Sequence, residues 1–120
     1  MTWQQVAAIH RGHGGVSIRG GRVVSLLAIE GSRYRNEITR SRIRYGISAQ
    51  RSRHQIKAFQ LALEEHHPIR VFYRSASNVW EDLGTFEAVS VEKVAAPETG
   101  GLMLYYTMIR GRGEANKGLS

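Results

Sequence analysis

The chain has no cysteine. Disulfides, thiolate–zinc clusters and thiol nucleophiles are therefore excluded, and nothing argues for an oxidising compartment. No apolar run approaches the length of a membrane span, and no N-terminal stretch is apolar enough for a signal peptide. A soluble intracellular protein, cytoplasmic or nucleoid-associated and without a membrane partner, is expected. Acids are scarce: ten Asp and Glu face seventeen Lys and Arg, and Asp82 is the lone aspartate. Asp82, Glu87 and Glu92 do not make the carboxylate cluster that a magnesium-dependent nuclease requires. His10 and His13, and His66-His67 beside Glu64-Glu65, are the remaining metal candidates. Neighbouring histidines at a helix end point in different directions, so neither a metal site, a cofactor nor a catalytic residue is expected.

What is present is positive charge. The net charge of the 120 residues is +7, a balance that fits a polyanionic partner. Its distribution is uneven. Between Arg33 and Arg53 lie seven arginines (Arg33, Arg35, Arg40, Arg42, Arg44, Arg51 and Arg53) against one acid, Glu37, so this window carries +6 of the +7. The planar arginine fork suits phosphates and base edges. A solvated basic face, or a patch for an acidic protein, is the plainer alternative. With 42% hydrophobic and 22% charged residues, residues 1–120 read as one ordered domain, with 1–13 and 111–120 as flexible ends.

Periodicity sketches a β-rich α+β domain. The first ten residues are ambiguous, and His10 to Gly21 reads as a glycine-rich mobile loop. Val23 to Ile29 is a continuous apolar run of strand length. Arg42 to Tyr45 is a short strand whose alternation places Ile43 and Tyr45 on one face and both arginines on the other. Ser52 with Gln55 resembles a capping box, opening a helix to about His66 with Ile56, Phe59 and Leu63 as its apolar stripe; Pro68 ends it. Ile69 to Arg74, Thr85 to Val94 and Leu102 to Ile109 read as strands, the last two joined by a turn at Pro97 and Gly100-Gly101. One helix plugging a curved sheet, closed in part as a barrel to protect its edges, is the expected architecture.

Two tyrosines, Tyr34 and Tyr45, flank the lone acid Glu37 inside the basic window. A flipped base needs an aromatic on each face, hydrogen bonds to its Watson–Crick edge and cationic anchoring of the distorted backbone. Tyr34 and Tyr45 suit the faces. Glu37 suits a cytosine amino group, because a carboxylate accepts from a donor and rejects the carbonyl of thymine. On the alternative reading Tyr34 sits in a turn, Tyr45 packs in the core and Glu37 neutralises its arginine neighbours.

From about Gly14 to Ile109 the order and spacing of five blocks resemble the SET-and-RING-associated (SRA, or YDG) domains. Val23-Val24-Ser25-Leu26-Leu27-Ala28-Ile29 precedes Gly31-Ser32-Arg33-Tyr34-Arg35-Asn36-Glu37, in the place of that family's apolar strand and Gly-Gly-Tyr-Glu-Asp-Asp turn. Arg44-Tyr45-Gly46 stands at its Tyr-Thr-Gly strand end. Pro68-Ile69-Arg70-Val71-Phe72-Tyr73-Arg74, Glu81-Asp82-Leu83-Gly84-Thr85-Phe86 and Gly101-Leu102-Met103-Leu104-Tyr105-Tyr106 follow in the family's order. The resemblance implies a twisted, partly closed β-barrel of the PUA-like group that reads modified cytosine, 5-methylcytosine or 5-hydroxymethylcytosine, in double-stranded DNA. It makes Tyr34 and Tyr45 the stacking rings and puts Glu37 in the place of the base-reading aspartate. Ile47 to Arg53 then corresponds to a shortened DNA-probing loop carrying Gln50, Arg51 and Arg53, with Val16, Ser17 and Ile18 approaching from the other groove. The acidic turn is largely replaced by Arg35 and Asn36, and Tyr-Asp-Gly has become Glu81-Asp82-Leu83-Gly84. A nuclease or other effector, fused or on a partner chain, fits such a reader. An RNA-binding PUA-like module and a protein-interaction domain using Trp80 and Tyr73 are the rival readings; a metal-dependent enzyme is the remotest.

Overall fold

The computed structural model describes residues 1–11, 15–29, 36–50, 53–96 and 101–110. Within them run α1 (Trp3–His10), β1 (Val16–Arg19), β2 (Arg22–Ile29), β3 (Glu37–Ile38), β4 (Arg42–Ser48), α2 (Arg53–Glu65), β5 (Ile69–Ala76), β6 (Val79–Ala96) and β7 (Gly101–Arg110). The strands form one sheet in the order β1-β2-β5-β6-β7-β4-β3. Among the described residues only the β2–β5 pair is parallel; α2 lies on the crossover between them and packs across β2 and β6.

Strand alternation splits the sheet into two faces. The inner face holds Ile43, Tyr45 and Ile47 of β4, Leu104, Tyr106 and Met108 of β7, and Ile69 and Val71 of β5, all packed around α2. Phe59 of α2 is fully buried there between two tyrosines, its ring centroid 6.0 Å from Tyr45 and 4.9 Å from Tyr106. The helix face is broader than the stripe of Ile56, Phe59 and Leu63. Ala58 and Ala62 are its most buried residues beside Phe59, and their small side chains let the helix axis approach the sheet. His66 leaves the helix in the left-handed region at φ 53°, and Pro68 prevents its resumption.

The outer face carries α1, a second helix where the sequence left the first ten residues ambiguous. Thr2 and Gln5 close a capping box, and Val6 packs with Phe72 and Trp80. His10 is fully buried, its Nδ1 2.6 Å from Ser25 Oγ. Part of the expected loop from His10 to Gly21 is instead β1, joined to β2 by Gly20 and Gly21, both at positive φ as a tight two-residue hairpin turn demands. The Ser52 cap and the turn at 97–100 lie outside the described residues.

The sheet is open but strongly curled. Bulges between Val71 and Phe72 of the β5–β6 ladder, and between Ala88 and Ser90 of β6–β7, add curvature. Strands at opposite ends of the sheet consequently meet. A Cβ built on Gly15, just before β1, would stand 3.0 Å from Tyr45 Oη on β4. The expected partial barrel is thus present as a curled but open sheet whose ends approach each other at Gly15 and Tyr45.

Candidate nucleic-acid interface

The line where the two sheet ends approach is a seam between the β1–β2 hairpin and the β3–β4 hairpin. Gly15 forms one lip, held by the Leu27 N–H donating to its carbonyl at 2.8 Å. Tyr45 forms the other, 8% exposed, with Phe59 stacked on it from the core side. A side chain at residue 15 would require the Tyr45 hydroxyl to give way by a few tenths of an ångström.

The β3–β4 register decides which candidate residues share this place. Glu37 pairs with Arg44, and Ile38 with Ile43. Directly opposed residues of an antiparallel pair point to the same side. Ile38 and Ile43 therefore face the core, whereas Glu37 and Arg44 face outward. Tyr45, next to Arg44, faces inward. The structure does not bring Glu37 and Tyr45 together; they lie on opposite faces of the sheet. Asn36, just before β3, is 9% exposed, and its side-chain Oδ1 accepts from the Gly46 N–H at 2.8 Å. Sequence reasoning treated Asn36 merely as a departure from an acidic turn. Tyr34, with Arg33, Arg35 and Arg51, lies outside the described residues.

The outward arginines divide by what holds them. Arg44 lies 4.0 Å from the centroid of the Tyr105 ring and pairs with Glu92 at 3.2 Å. Arg40 pairs with Glu81, and its carbonyl accepts two hydrogen bonds from the Arg110 guanidinium. Arg42 and Arg53 are exposed and make no ion pair among the described residues. Gln50 folds back rather than projecting: its Nε2 would be 3.2 Å from a Cβ at Gly101. The Ala49 N–H anchors the same turn to the Leu102 carbonyl at 2.9 Å.

Two expected groove contacts are corrected. Val16 and Ser17 belong to strand β1, not to a free loop. Val16 packs against the main core, and Ser17 is buried beside Ser25, its cross-strand partner, on the side where His10 closes over the sheet. Val16 is half-buried and Ser17 buried, so Ser17 is not presented to a groove in this conformation. Two open hollows of the described surface, about 340 Å³ beside Trp3 and Trp80 and about 330 Å³ beside Ile56 and Tyr106, are not lined by Asn36 or Tyr45. Among the described residues no group of three His, Asp or Glu could hold a metal, and no helix is long and apolar enough to cross a membrane.

No protein-family model matches the chain, and no curated protein matches it in sequence. Solved structures do match in shape. The SRA domain of SUVH5 in complex with hemimethylated CG DNA superposes with a TM-score of 0.76 at 15% identity, over 93% of this chain and 84% of that one. The same domain bound to fully hydroxymethylated CG DNA gives 0.72 at 16% identity, over 93% and 85%. The modification-dependent TagI restriction endonuclease gives 0.71 at 11% identity, over 91% of this chain but 47% of the endonuclease. The curled seven-stranded sheet around α2, with its seam beside Tyr45, is therefore the fold of an SRA domain.

Proposed function

We propose that this chain is a DNA-binding module that reads 5-methylcytosine or 5-hydroxymethylcytosine by flipping the base toward the seam, and that it carries no catalytic step of its own. The observation that supports this most is the shared fold: the SRA domain of SUVH5, which this chain matches over 93% of its length, is bound to hemimethylated DNA in one structure and to hydroxymethylated DNA in another. In this reading Tyr34 and Tyr45 are the stacking rings that the family resemblance implies. Arg42 and Arg53, exposed and without acidic partners among the described residues, hold phosphates, which fix orientation but carry little sequence information. Unstacking a base costs a few kcal/mol, within reach of stacking and backbone contacts. The endonuclease neighbour is about twice as long as the matched region. That fits a division of labour in which strand cleavage, or another effect, belongs to a fused or partner domain inside the cell.

Binding to matched duplexes carrying cytosine, 5-methylcytosine and 5-hydroxymethylcytosine, with single-stranded RNA as competitor, tests this reading. One or both modified duplexes should bind more tightly than the unmodified one, and RNA should compete poorly. A 2-aminopurine beside the modified cytosine should brighten on binding. Equal affinity for all three duplexes with unchanged fluorescence sinks the proposal; stronger RNA binding would assign the seam to RNA.

A further inference from the structure

We infer that the hollow between Trp3 and Trp80, on the outer face of the sheet, docks a partner protein through an acidic segment that carries one bulky apolar side chain. This surface is separate from the seam, and the inference does not rest on DNA reading.

Trp3 and Trp80 are the chain's two tryptophans, and they meet here with ring centroids 5.5 Å apart. Leu27 and Ile29 of β2 complete the apolar lining of a hollow of about 340 Å³, bordered by Arg74 and Asn78. Arg74 is paired with Ile29 on one side and with Trp80 on the other, so its side chain stands on the same outer face. Tyr73, the next residue along β5, packs toward the main core instead.

The walls are held by the backbone. The Met1 nitrogen donates to the Trp80 carbonyl at 2.7 Å, and the Trp80 N–H donates back to the Met1 carbonyl at 2.8 Å. Asn78, at φ 56° in the β5–β6 turn, accepts from the Trp3 N–H at 2.8 Å. These bonds tie α1 to the hairpin and leave the Trp3 side chain 41% exposed, with Met1 and Val79 also exposed. A contiguous apolar patch of this kind marks an interaction site. Tryptophan and arginine are also the side chains that carry most of the binding energy in protein interfaces.

Charge selects the occupant. Arg74 is exposed and makes no ion pair among the described residues. At the rim of an apolar hollow its planar fork suits a carboxylate brought from outside. A nucleic acid would need a row of cations to follow its phosphates, and Arg74 is the one cation lining this hollow. A second copy of the chain has little acid to offer, because Glu65, Glu81, Asp82 and Glu92 are each paired with an arginine already. An acidic segment of a different protein supplies the charge that this +7 chain is short of.

The test is to pan a displayed library of random short peptides against the full chain. Selected peptides should share Asp or Glu beside Trp, Phe or Leu. A selected peptide made without tryptophan should shift the protein's tryptophan emission, which reports on this hollow alone because both tryptophans line it. Arg74→Ala should weaken that peptide roughly tenfold, the scale of a hydrogen bond to a charged group. Arg74→Glu should select basic peptides in place of acidic ones. Both variants should melt like the wild type, since the side chain is exposed. Selected peptides that lack acids, or equal affinity for the wild type and Arg74→Ala, overturn the inference. Emission that responds to a single-stranded oligonucleotide and to no peptide overturns it in favour of nucleic acid. Emission that shifts with protein concentration alone, in step with dimer formation, overturns it in favour of a second copy. The peptide measurements contain no DNA, so their failure leaves the reading of modified cytosine standing.

Discussion

Gly46 sits where the two faces of β4 press hardest on the backbone. A Cβ there would lie 2.6 Å from Cε1 of Tyr105, a ring that is itself buried under the Arg44 guanidinium. The Met103 methyl would be 3.2 Å away, and both side chains are buried, so neither ring nor methyl has open space to move into. Gly46→Ala should therefore destabilise the fold by about 1–3 kcal/mol through overpacking, read as a lowered Tm or denaturant midpoint. A variant as stable as the parent would mean that β4 and β7 can separate at this point. The same strand shows how far single residues are legible. The alternation of Arg42-Ile43-Arg44-Tyr45 is a local property, and the faces it assigns are those observed. The neighbouring choice between Ile38 and Glu37 is not local. It depends on the β3–β4 register, and a one-residue slip would exchange the two.

Among the elements, α2 bears most directly on the seam, because Phe59 supports Tyr45 from beneath. Phe59→Ala removes a fully buried ring from between Tyr45 and Tyr106 and should cost roughly 3–5 kcal/mol. Unchanged chemical denaturation would place α2 at the periphery, against the packing described. The β5–β6 ladder carries a pH-sensitive tie. Burial pushes the Asp82 carboxyl up, but hydrogen bonds from the Arg70 side chain and the Gly84 N–H, with the charge of Arg70, outweigh it and leave the pKa below its ordinary 3.8. A lowered carboxylate pKa stabilises the fold above 3.8, and that contribution is lost as pH falls through the lowered value. Asp82→Asn should accordingly flatten the acid limb of a Tm-against-pH profile; an acid limb parallel to the wild type would show that Asp82 does not couple to folding. Element boundaries were legible where a stop is chemical, as at Pro68. The helix α1 was marked only by Thr2-x-x-Gln5 over eight residues, and β1 was masked by the glycines that make its hairpin turn.

At the scale of the molecule the net charge of +7 predicts how binding responds to salt. The logarithm of the affinity for duplex DNA should fall linearly with the logarithm of salt concentration, by about 0.9 per phosphate neutralised. Arg42→Ala should reduce that slope by roughly one phosphate and weaken modified and unmodified duplexes alike. Arg44→Ala should change it less, since Glu92 and Tyr105 already hold that guanidinium. Equal slopes for the wild type and Arg42→Ala would take Arg42 out of the phosphate-binding face.

The sequence by itself determined the charge that favours a polyanion, the two-faced character of each strand and the apolar stripe that seats α2. Each depends on residue type and on neighbours within a turn or a strand. The order and spacing of the five blocks also carried the fold, because they follow the succession of elements along the chain. Only the tertiary structure decided which residues meet at the seam. Gly15 and Tyr45 are distant in sequence and stand on strands from opposite ends of the sheet. Twist and bulges accumulated across β5, β6 and β7 bring them together, and no local pattern encodes that sum. Register then turned Ile38 inward and Glu37 outward, and pairing with β2 buried Ser17. A strand's faces can be read from its own residues, but which face meets a partner is settled by the partner.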